Sequence, residues 1–247
     1  MTTTLESMVW GGPARQLLEC AKDLEPGKPA VMQIRHTARN TVTKEQAQRD
    51  PKFDGRSLPS TNEGIQAAID FGSSLPKSRS YTLYNTYVER TLETAQGIMR
   101  GMKNSGIKAQ LGGKIPCDIH LDPEASFQWA KKQKWFPEYG AYNTTCKWIA
   151  GLRPTSVLRP SADYSREVAG IVVGNLVGVS GDAFHLYVSH DNWVQALVFH
   201  WFGVPPEVGG LRYLDGFLVQ FVDDEMRVWF RGKCDAFDYP YWWPKFV

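Results

Sequence analysis

The sequence predicts a three-layer α/β/α sandwich with a mainly parallel central sheet and an inserted cap-like segment. Two apolar runs, residues 30–34 and 183–188, have the composition of buried strands, and segments of helical periodicity alternate with them along the chain. A basic or polar motif follows each run directly, and open α/β sheets bind their ligands at this end of the strands. The 247 residues are enough for one sizeable domain, which we expect to span the whole chain.

The helices and strands expected between these motifs follow in order. A polar loop over residues 41–59 leads into a helix whose start, with Ser60 as the cap and Glu63 three residues later, has the form of a capping box. A second helix is predicted to begin near Arg90, so that this side chain lies in a first turn whose unpaired N–H groups favour an anion.

The second half of the chain continues the alternation. Residues 165–177 carry valine and leucine at helical spacing, and the nearly all-apolar residues 191–202 are typical of a helix buried on several sides. Residues 217–222 and 226–231 flank an acidic turn and are predicted to form a hairpin that extends the sheet.

Composition excludes several classes of function. A formal net charge of +2 is too small to indicate a nucleic-acid or membrane partner. No stretch is long and apolar enough for a membrane span, and the N-terminus lacks the pattern of a signal peptide, so we expect a cytoplasmic protein. The four cysteines show no Cys-x-x-Cys spacing; two disulfides remain open, but buried free thiols are favoured.

Three motifs carry the expected chemistry. Residues 35–39 are Arg-His-Thr-Ala-Arg, residues 90–95 are Arg-Thr-Leu-Glu-Thr-Ala, and residues 190–191 are His-Asp. Three arginines and two histidines that meet in one crevice repel one another unless an anion lies between them, and the arginine fork suits phosphate oxygens. The motifs therefore predict phosphoryl chemistry.

In their order and spacing these motifs resemble those of the histidine phosphatase superfamily, and within it the acid phosphatase branch. A further feature, Thr61-Asn-Glu-Gly64 at a helix start, is similar to the segment that the family carries between its first two motifs. The resemblance implies a phosphomonoesterase that hydrolyses a small phosphorylated metabolite through a phosphohistidine intermediate. It implies catalysis without a metal or another cofactor.

The resemblance also implies roles for individual residues. His36 is expected to be the nucleophile. Arg35, Arg39 and Arg90 are expected to hold the non-bridging oxygens, and His190 is expected to add a donor when protonated. Asp191 is expected to donate a proton to the leaving oxygen and then to help deprotonate water, although an aspartate at a helix start is also a common N-cap.

One departure from the family pattern concerns the substrate. Thr37 replaces the glycine of the first motif, and its side chain is expected to narrow the pocket or to add a hydroxyl donor for substrate. Two other functions therefore stay open: a phosphate-binding or regulatory domain without turnover, and a phosphomutase on the same fold. The mutase branch takes its acid from the stretch after the second motif, where Glu124 is the candidate.

Residues 108–163 are the predicted insertion. They are rich in aromatic and basic residues, among them Trp129, Trp135 and Arg153, and in this superfamily such a segment often covers the pocket and selects the substrate. A surface subdomain with its own small core is the alternative, and the more common one for most of these residues.

The same stretch contains a rival cluster, formed by Cys117, Asp118, His120 and Asp122. If residues 117–121 form a strand, alternation places the last three side chains on one face, where they could bind a divalent metal. A polar strand end is the favoured interpretation.

Overall fold

A seven-stranded sheet forms the centre of the protein in the computed structural model, which describes residues 4–41, 58–132, 140–179, 181–222 and 224–244. The strands are β1 (Ala30–Arg35), β2 (Ser80–Asn85), β3 (Ala109–Lys114), β4 (Ala183–Ser189), β5 (Gly216–Val222), β6 (Glu225–Phe230) and β7 (Lys233–Asp238). Their order is β3-β2-β4-β1-β5-β6-β7. The first four strands in this order run parallel, whereas β5, β6 and β7 are antiparallel to their neighbours.

Helices cover both faces of the sheet. They are α1 (Thr4–Ser7), α2 (Gly12–Cys20), α3 (Asn62–Ser73), α4 (Glu89–Asn104), α5 (Pro123–Lys132), α6 (Gly140–Ile149), α7 (Ser161–Leu176) and α8 (Asp191–Phe202), with a short 3₁₀ helix at Val9–Gly11. Helices α1 to α4 pack in one apolar core on one face. Helices α6 to α8 pack in a second core on the other face. The predicted three-layer fold is confirmed.

The central strands bring the three motifs together. β1 and β4 are buried along almost their whole length because helices cover both faces, which explains their continuous apolar composition. In their parallel register Arg35 lies beside Ser189, and β2 pairs with the other edge of β4. The residues that follow β1, β2 and β4 therefore meet at one edge of the sheet.

Glycines let helices α3 and α4 cross closely. A Cβ added at Gly72 would collide with the backbone of Ile98, and one added at Gly101 would collide with the backbone of Ile69. Since a side chain at either glycine would push the helices apart, the contact fixes the position of α4, whose first turn carries Arg90.

Several predicted boundaries are correct and one cap is not. The strand that ends at Arg35, the helix Asp191–Phe202 and the C-terminal hairpin are all present, and the strand predicted to end at Val188 extends to Ser189. The cap of α3 is Thr61, not Ser60: the Thr61 hydroxyl accepts the Gly64 N–H at 3.0 Å. Ser60 lies before the helix, and its N–H donates to Glu93 at 2.7 Å.

Most of the loop predicted over residues 41–59 lies outside the described residues. Both ends of the segment predicted as an insertion, residues 108–163, belong to the central fold. The segment 109–114 is β3, the edge strand of the central sheet, and α7 begins at Ser161. The strand on which the rival metal cluster depended, over residues 117–121, is not formed; this stretch contributes one isolated bridge, between His120 and Leu158.

The four cysteines are free thiols, and of these Cys20 and Cys117 are buried while Cys146 is half-buried and Cys234 is exposed. Over the described ranges, none of the helices has the length and apolar character needed to cross a membrane.

Candidate active site

A cavity of about 210 Å³ opens where β1, β2 and β4 end. It is lined by Arg35, His36, Arg39, Tyr87, Val88, Arg90, His120, His190, Asp191, Asn192 and Trp193. Six of the seven residues predicted from the motifs thus line one cavity, although they come from three separate stretches of the chain. Such a concentration of arginine and histidine suits an anionic ligand.

His36 is held as a neutral imidazole. Its Nδ1 lies 2.7 Å from the Thr37 carbonyl oxygen, which can only accept, so Nδ1 carries the proton. Its Nε2 accepts the Nε–H of Arg90 at 3.0 Å. Burial lowers the pKa of His36 well below 6.5, and the charges of Arg90, Arg35 and Arg39 lower it further. Nε2, the atom that a nucleophilic histidine uses, therefore carries no proton at neutral pH, and its lone pair accepts the hydrogen bond from Arg90.

His190 lies beside His36, with the two ring centroids 5.5 Å apart. Its Nδ1 is 3.4 Å from Nη2 of Arg90, and its Nε2 is 3.0 Å from the hydroxyl of Thr86. Since a guanidinium only donates, this arrangement favours the tautomer with the proton on Nε2. Burial lowers the pKa of His190 well below 6.5, and His36 and Arg90 lower it further.

The hydroxyls of Thr86 and Thr91 support this arrangement. They lie 3.0 Å apart, and the Thr91 hydroxyl donates to the Val88 carbonyl at 2.7 Å. The hydroxyl hydrogen of Thr91 is used in the hydrogen bond to Val88. The Thr86 hydroxyl therefore donates to Thr91 and accepts from His190. The chain of hydrogen bonds thus fixes both the ring and its tautomer.

Arg35 and Arg39 differ in how firmly they are held. The Arg35 guanidinium lies over the ring of Tyr213, 4.4 Å from its centroid, and its Nη1 donates to the carbonyl of Leu211 and is 3.7 Å from Oδ2 of Asp191. Arg39 is half-buried and donates to the carbonyl of Asn40 at 3.0 Å. Arg35 is the more rigid ligand for an anion.

Asp191 is the first residue of α8, and the cap position belongs to His190, so the alternative interpretation of Asp191 as the N-cap is wrong. Its Oδ1 accepts the Leu211 N–H at 2.8 Å and the side-chain amide of Gln195 at 2.6 Å. These two donors hold the carboxylate in the wall of the cavity.

Thr37 does not line the cavity. It is fully buried, its hydroxyl donates to the carbonyl of Gly64 at 2.7 Å, and its N–H donates to the Thr94 hydroxyl at 3.1 Å. The expectation that its side chain gives substrate a hydroxyl donor is wrong, because the hydroxyl binds α3 and the N–H binds α4 instead.

The remaining wall was missed by the sequence analysis. Tyr87 and Val88 lie three and two residues before Arg90, and Asn192 and Trp193 directly follow the His-Asp pair, so proximity to the motifs was a usable signal. His120 had no such signal, because it reaches the cavity from the loop after β3. Its ring is 6.4 Å from that of Trp193.

The rival metal cluster is not assembled in this loop. Asp118 accepts the backbone N–H of His120 at 2.8 Å, Asp122 accepts the N–H of Ala125 at 2.9 Å, and Nδ1 of His120 lies 3.1 Å from the Ser126 hydroxyl. Within the ranges that the structure describes, no group of three histidine, cysteine, aspartate or glutamate residues is placed to hold a metal.

Two other candidates from the insertion, Glu124 and Arg153, are not among the residues that line the cavity. Glu124 is exposed and binds Gln128 at 2.9 Å. Arg153 donates to the carbonyl of Thr144 at 2.9 Å, and burial lowers its pKa to about 10. Trp135 lies outside the described residues, and Trp129 lies in α5.

Comparison with known proteins identifies the fold. No protein-family model matches the sequence, and no curated protein matches it. Among solved structures, the chain is similar to YhfR from Bacillus stearothermophilus, with 18% identity over 83% of this chain and 96% of that one, and a TM-score of 0.52. It is also similar to the phosphoglycerate mutase from Bacillus anthracis str. Sterne, with 13% identity, coverage of 86% and 93%, and a TM-score of 0.51.

A mycobacterial glucosyl-3-phosphoglycerate phosphatase is a further neighbour, with 14% identity over 87% of this chain and all of that one (100%), and a TM-score of 0.48. The first two likenesses show that the chain has the phosphoglycerate mutase-like fold. At these identities they do not single out the acid phosphatase branch within that fold.

Proposed function

We propose that the protein is a phosphomonoesterase of the histidine phosphatase type, which hydrolyses a small phosphorylated metabolite through phospho-His36. The observation that carries this proposal is the state of His36: a buried, neutral ring whose Nε2 lone pair faces the guanidinium of Arg90. A guanidinium beside a nucleophile binds the group that the nucleophile attacks.

Phosphate binding replaces the hydrogen bonds between Arg90 and the two histidines. An anion between His36, Arg90 and His190 takes over the Arg90 donors that now face the two rings. Its negative charge raises the pKa of His190, so that Nδ1 gains a proton and becomes a donor to a phosphoryl oxygen. Arg35 and Arg39 bind the remaining non-bridging oxygens and stabilise the charge that moves during transfer.

The reaction proceeds in two displacements. In the first, Nε2 of His36 attacks phosphorus, the bond from phosphorus to the ester oxygen breaks, and Asp191 gives its proton to the departing alcohol. In the second, the Asp191 carboxylate takes a proton from water, the water oxygen attacks phosphorus, and the bond to Nε2 breaks to release inorganic phosphate. His36 returns to its neutral form.

Two features favour the acid phosphatase branch over a mutase. Asp191 lines the cavity next to His190, whereas Glu124, the substitute for the mutase acid, is exposed and bonded to Gln128. The positive charge of the arginines stabilises the negative charge of the transition state, as a metal ion does in other phosphatases. We therefore propose that the reaction needs no metal.

The test compares two leaving groups. We expect release of inorganic phosphate from p-nitrophenyl phosphate and from members of a panel of phosphorylated metabolites, with no isomerised phosphate ester among the products. Asp191→Asn is expected to slow hydrolysis of an alkyl phosphate by about 10²-fold or more, because a poor leaving group needs the proton. The same variant is expected to leave the burst of phosphorylation by p-nitrophenyl phosphate nearly unchanged.

Three outcomes contradict the proposal. Equal losses for the two leaving groups reject Asp191 as the acid. Phosphate binding without turnover on any substrate indicates the non-catalytic alternative. Transfer of phosphate between positions of one substrate indicates the mutase.

A further inference from the structure

One irregular segment holds both Arg35 and Asp191 from the same side of the cavity. The carbonyl of Leu211 accepts from the Arg35 guanidinium, and the N–H of the same residue donates to Asp191 at 2.8 Å. The ring of Tyr213 supports the Arg35 guanidinium at 4.4 Å. We call residues 207–215 the clamp segment.

The clamp segment has no helix or strand of its own. Its backbone meets the end of β1: Leu214 N–H donates to the Arg35 carbonyl at 3.1 Å, and Arg35 N–H donates to the Asp215 carbonyl at 2.8 Å. Leu214 has a φ of 57°, a conformation that is costly for a leucine. Such a conformation persists only where surrounding contacts impose it.

Arg231 joins the two ends of the clamp segment. One of its guanidinium nitrogens pairs with Asp215 at 2.7 Å, and the other pairs with Glu207 at 2.9 Å. Arg231 lies in the turn between β6 and β7 and is not among the residues that line the cavity. Its two ion pairs thus connect the clamp segment to the β6–β7 turn, outside the cavity lining.

The pair with Asp215 is the stronger anchor because this carboxylate is only 2% exposed. Burial raises the pKa of Asp215, and the charge of Arg231 opposes that rise. Without Arg231 a buried carboxylate loses its ionic partner, which is costly in a folded protein.

We propose that Arg231 is a positioning residue: by bridging Glu207 and Asp215 it fixes the clamp segment, and through it the places of Arg35 and Asp191. The effect of Arg231 on catalysis rests on the proposed phosphatase function. Its effect on the position of the clamp segment does not, and that effect can be measured without substrate.

The experiment compares Arg231→Met with Arg227→Met. Arg227 is a matched control, since it lies on β6, makes ion pairs with Glu25 at 3.1 Å and Glu225 at 3.5 Å, and does not line the cavity. In Arg231→Met we expect hydrogen exchange of the Leu211 amide to accelerate by about tenfold or more, because the tie contributes at least one strong charged hydrogen bond. The control is expected to leave this amide unchanged.

A second readout follows the anion. The Kd for inorganic phosphate and for vanadate is expected to weaken by about tenfold in Arg231→Met and to stay within about twofold in Arg227→Met. The double variant Arg231→Met with Asp215→Asn removes the unpaired charge without restoring the tie. We expect it to regain thermal stability but neither slow exchange at Leu211 nor anion affinity.

Two results overturn the proposal: exchange at Leu211 that is the same in Arg231→Met and Arg227→Met, or full recovery of exchange and affinity in the double variant, which would mean that only the unpaired charge mattered. If the wild-type protein neither binds phosphate nor hydrolyses esters, the proposed function fails. The exchange rate of Leu211 then still decides the role of Arg231.

Discussion

Adding one methyl group at Gly210 is expected to move Asp191 and to slow the protonation of the leaving group. A Cβ built at Gly210 lies 2.8 Å from Oδ1 and 3.0 Å from Cγ of Asp191, and it collides with Oδ2. Ordinary contact needs more than 3.4 Å, so the carboxylate must shift by several tenths of an ångström at Oδ1 and Cγ and by about 1 Å at Oδ2. The carboxylate is the end of a flexible side chain and moves more easily than the backbone.

Gly209 provides the control for backbone strain. Both glycines have positive φ, 89° for Gly209 and 65° for Gly210, so alanine at either site costs about 1–2 kcal/mol of folding free energy. A Cβ at Gly209 meets nothing within 4 Å. The two variants therefore share the strain and differ in the collision with Asp191.

The magnitude follows from the displaced carboxylate. A misplacement of about 1 Å in a catalytic group costs up to about 10²-fold in rate. We expect Gly210→Ala to lower kcat for an alkyl phosphate by about 10²-fold, and Gly209→Ala to lower it by no more than a few-fold. The phosphorylation burst with p-nitrophenyl phosphate, whose leaving group needs no proton, should be nearly unchanged in both variants.

The assay is stopped-flow and steady-state kinetics with the two substrates, together with the unfolding midpoint of each variant. Equal losses of kcat in Gly209→Ala and Gly210→Ala would refute the reasoning, because the difference between the variants is the contact with Asp191. Equal losses for both leaving groups in Gly210→Ala would refute the acid role itself.

Three further predictions concern pH, metal and substrate choice. Because the pKa values of His36 and His190 lie well below 6.5, the unfolded chain binds more protons than the folded one as pH falls below that value, so the free energy of unfolding should drop by up to about 1.4 kcal/mol per pH unit for each histidine. Denaturant titrations at pH 7.5, 6.5 and 5.5 measure this drop, saturating phosphate should reduce it, and a slope that is the same in His36→Asn would contradict it. Exhaustive chelation should leave phosphatase activity intact because arginine charge supports transfer, whereas loss of activity that one divalent ion restores would show a metal requirement. His120→Asn should change the ratio of kcat/KM among metabolites by about tenfold, since His120 lies in the cavity wall beside Trp193, while the rate of p-nitrophenyl phosphate hydrolysis changes only a few-fold. Leu121→Ala, at an exposed neighbouring residue, is the control. A uniform loss of activity on all substrates would indicate a structural role for His120.

The sequence predicts the centre of this site well because local signals define it. Buried strands leave uninterrupted apolar runs, and the motifs that follow β1 and β4 must meet once those strands pair. The position of Arg90 in a first helical turn could also be predicted, because apolar residues at helical spacing follow it along the chain.

The parts that the sequence does not predict depend on contacts between distant residues. The hydroxyl of Thr37 binds Gly64, 27 positions away, and no local rule indicates that choice over the cavity. Leu211 and Tyr213 belong to a segment without regular structure, and their contacts with Arg35 appear only when β5 pairs with β1. His120 was weighed as a metal ligand or as part of a polar strand end, and its place in the cavity wall depends on the path of the irregular segment after β3.

The central claim, covalent catalysis by His36, is tested most directly by trapping the phosphoenzyme. Rapid quenching with labelled p-nitrophenyl phosphate should leave phosphate on the protein in a bond that is acid-labile and base-stable, and peptide mapping should place it on His36. The label should be absent in His36→Asn. Label on a serine or a cysteine, or steady turnover by His36→Asn at the wild-type rate, would contradict the account.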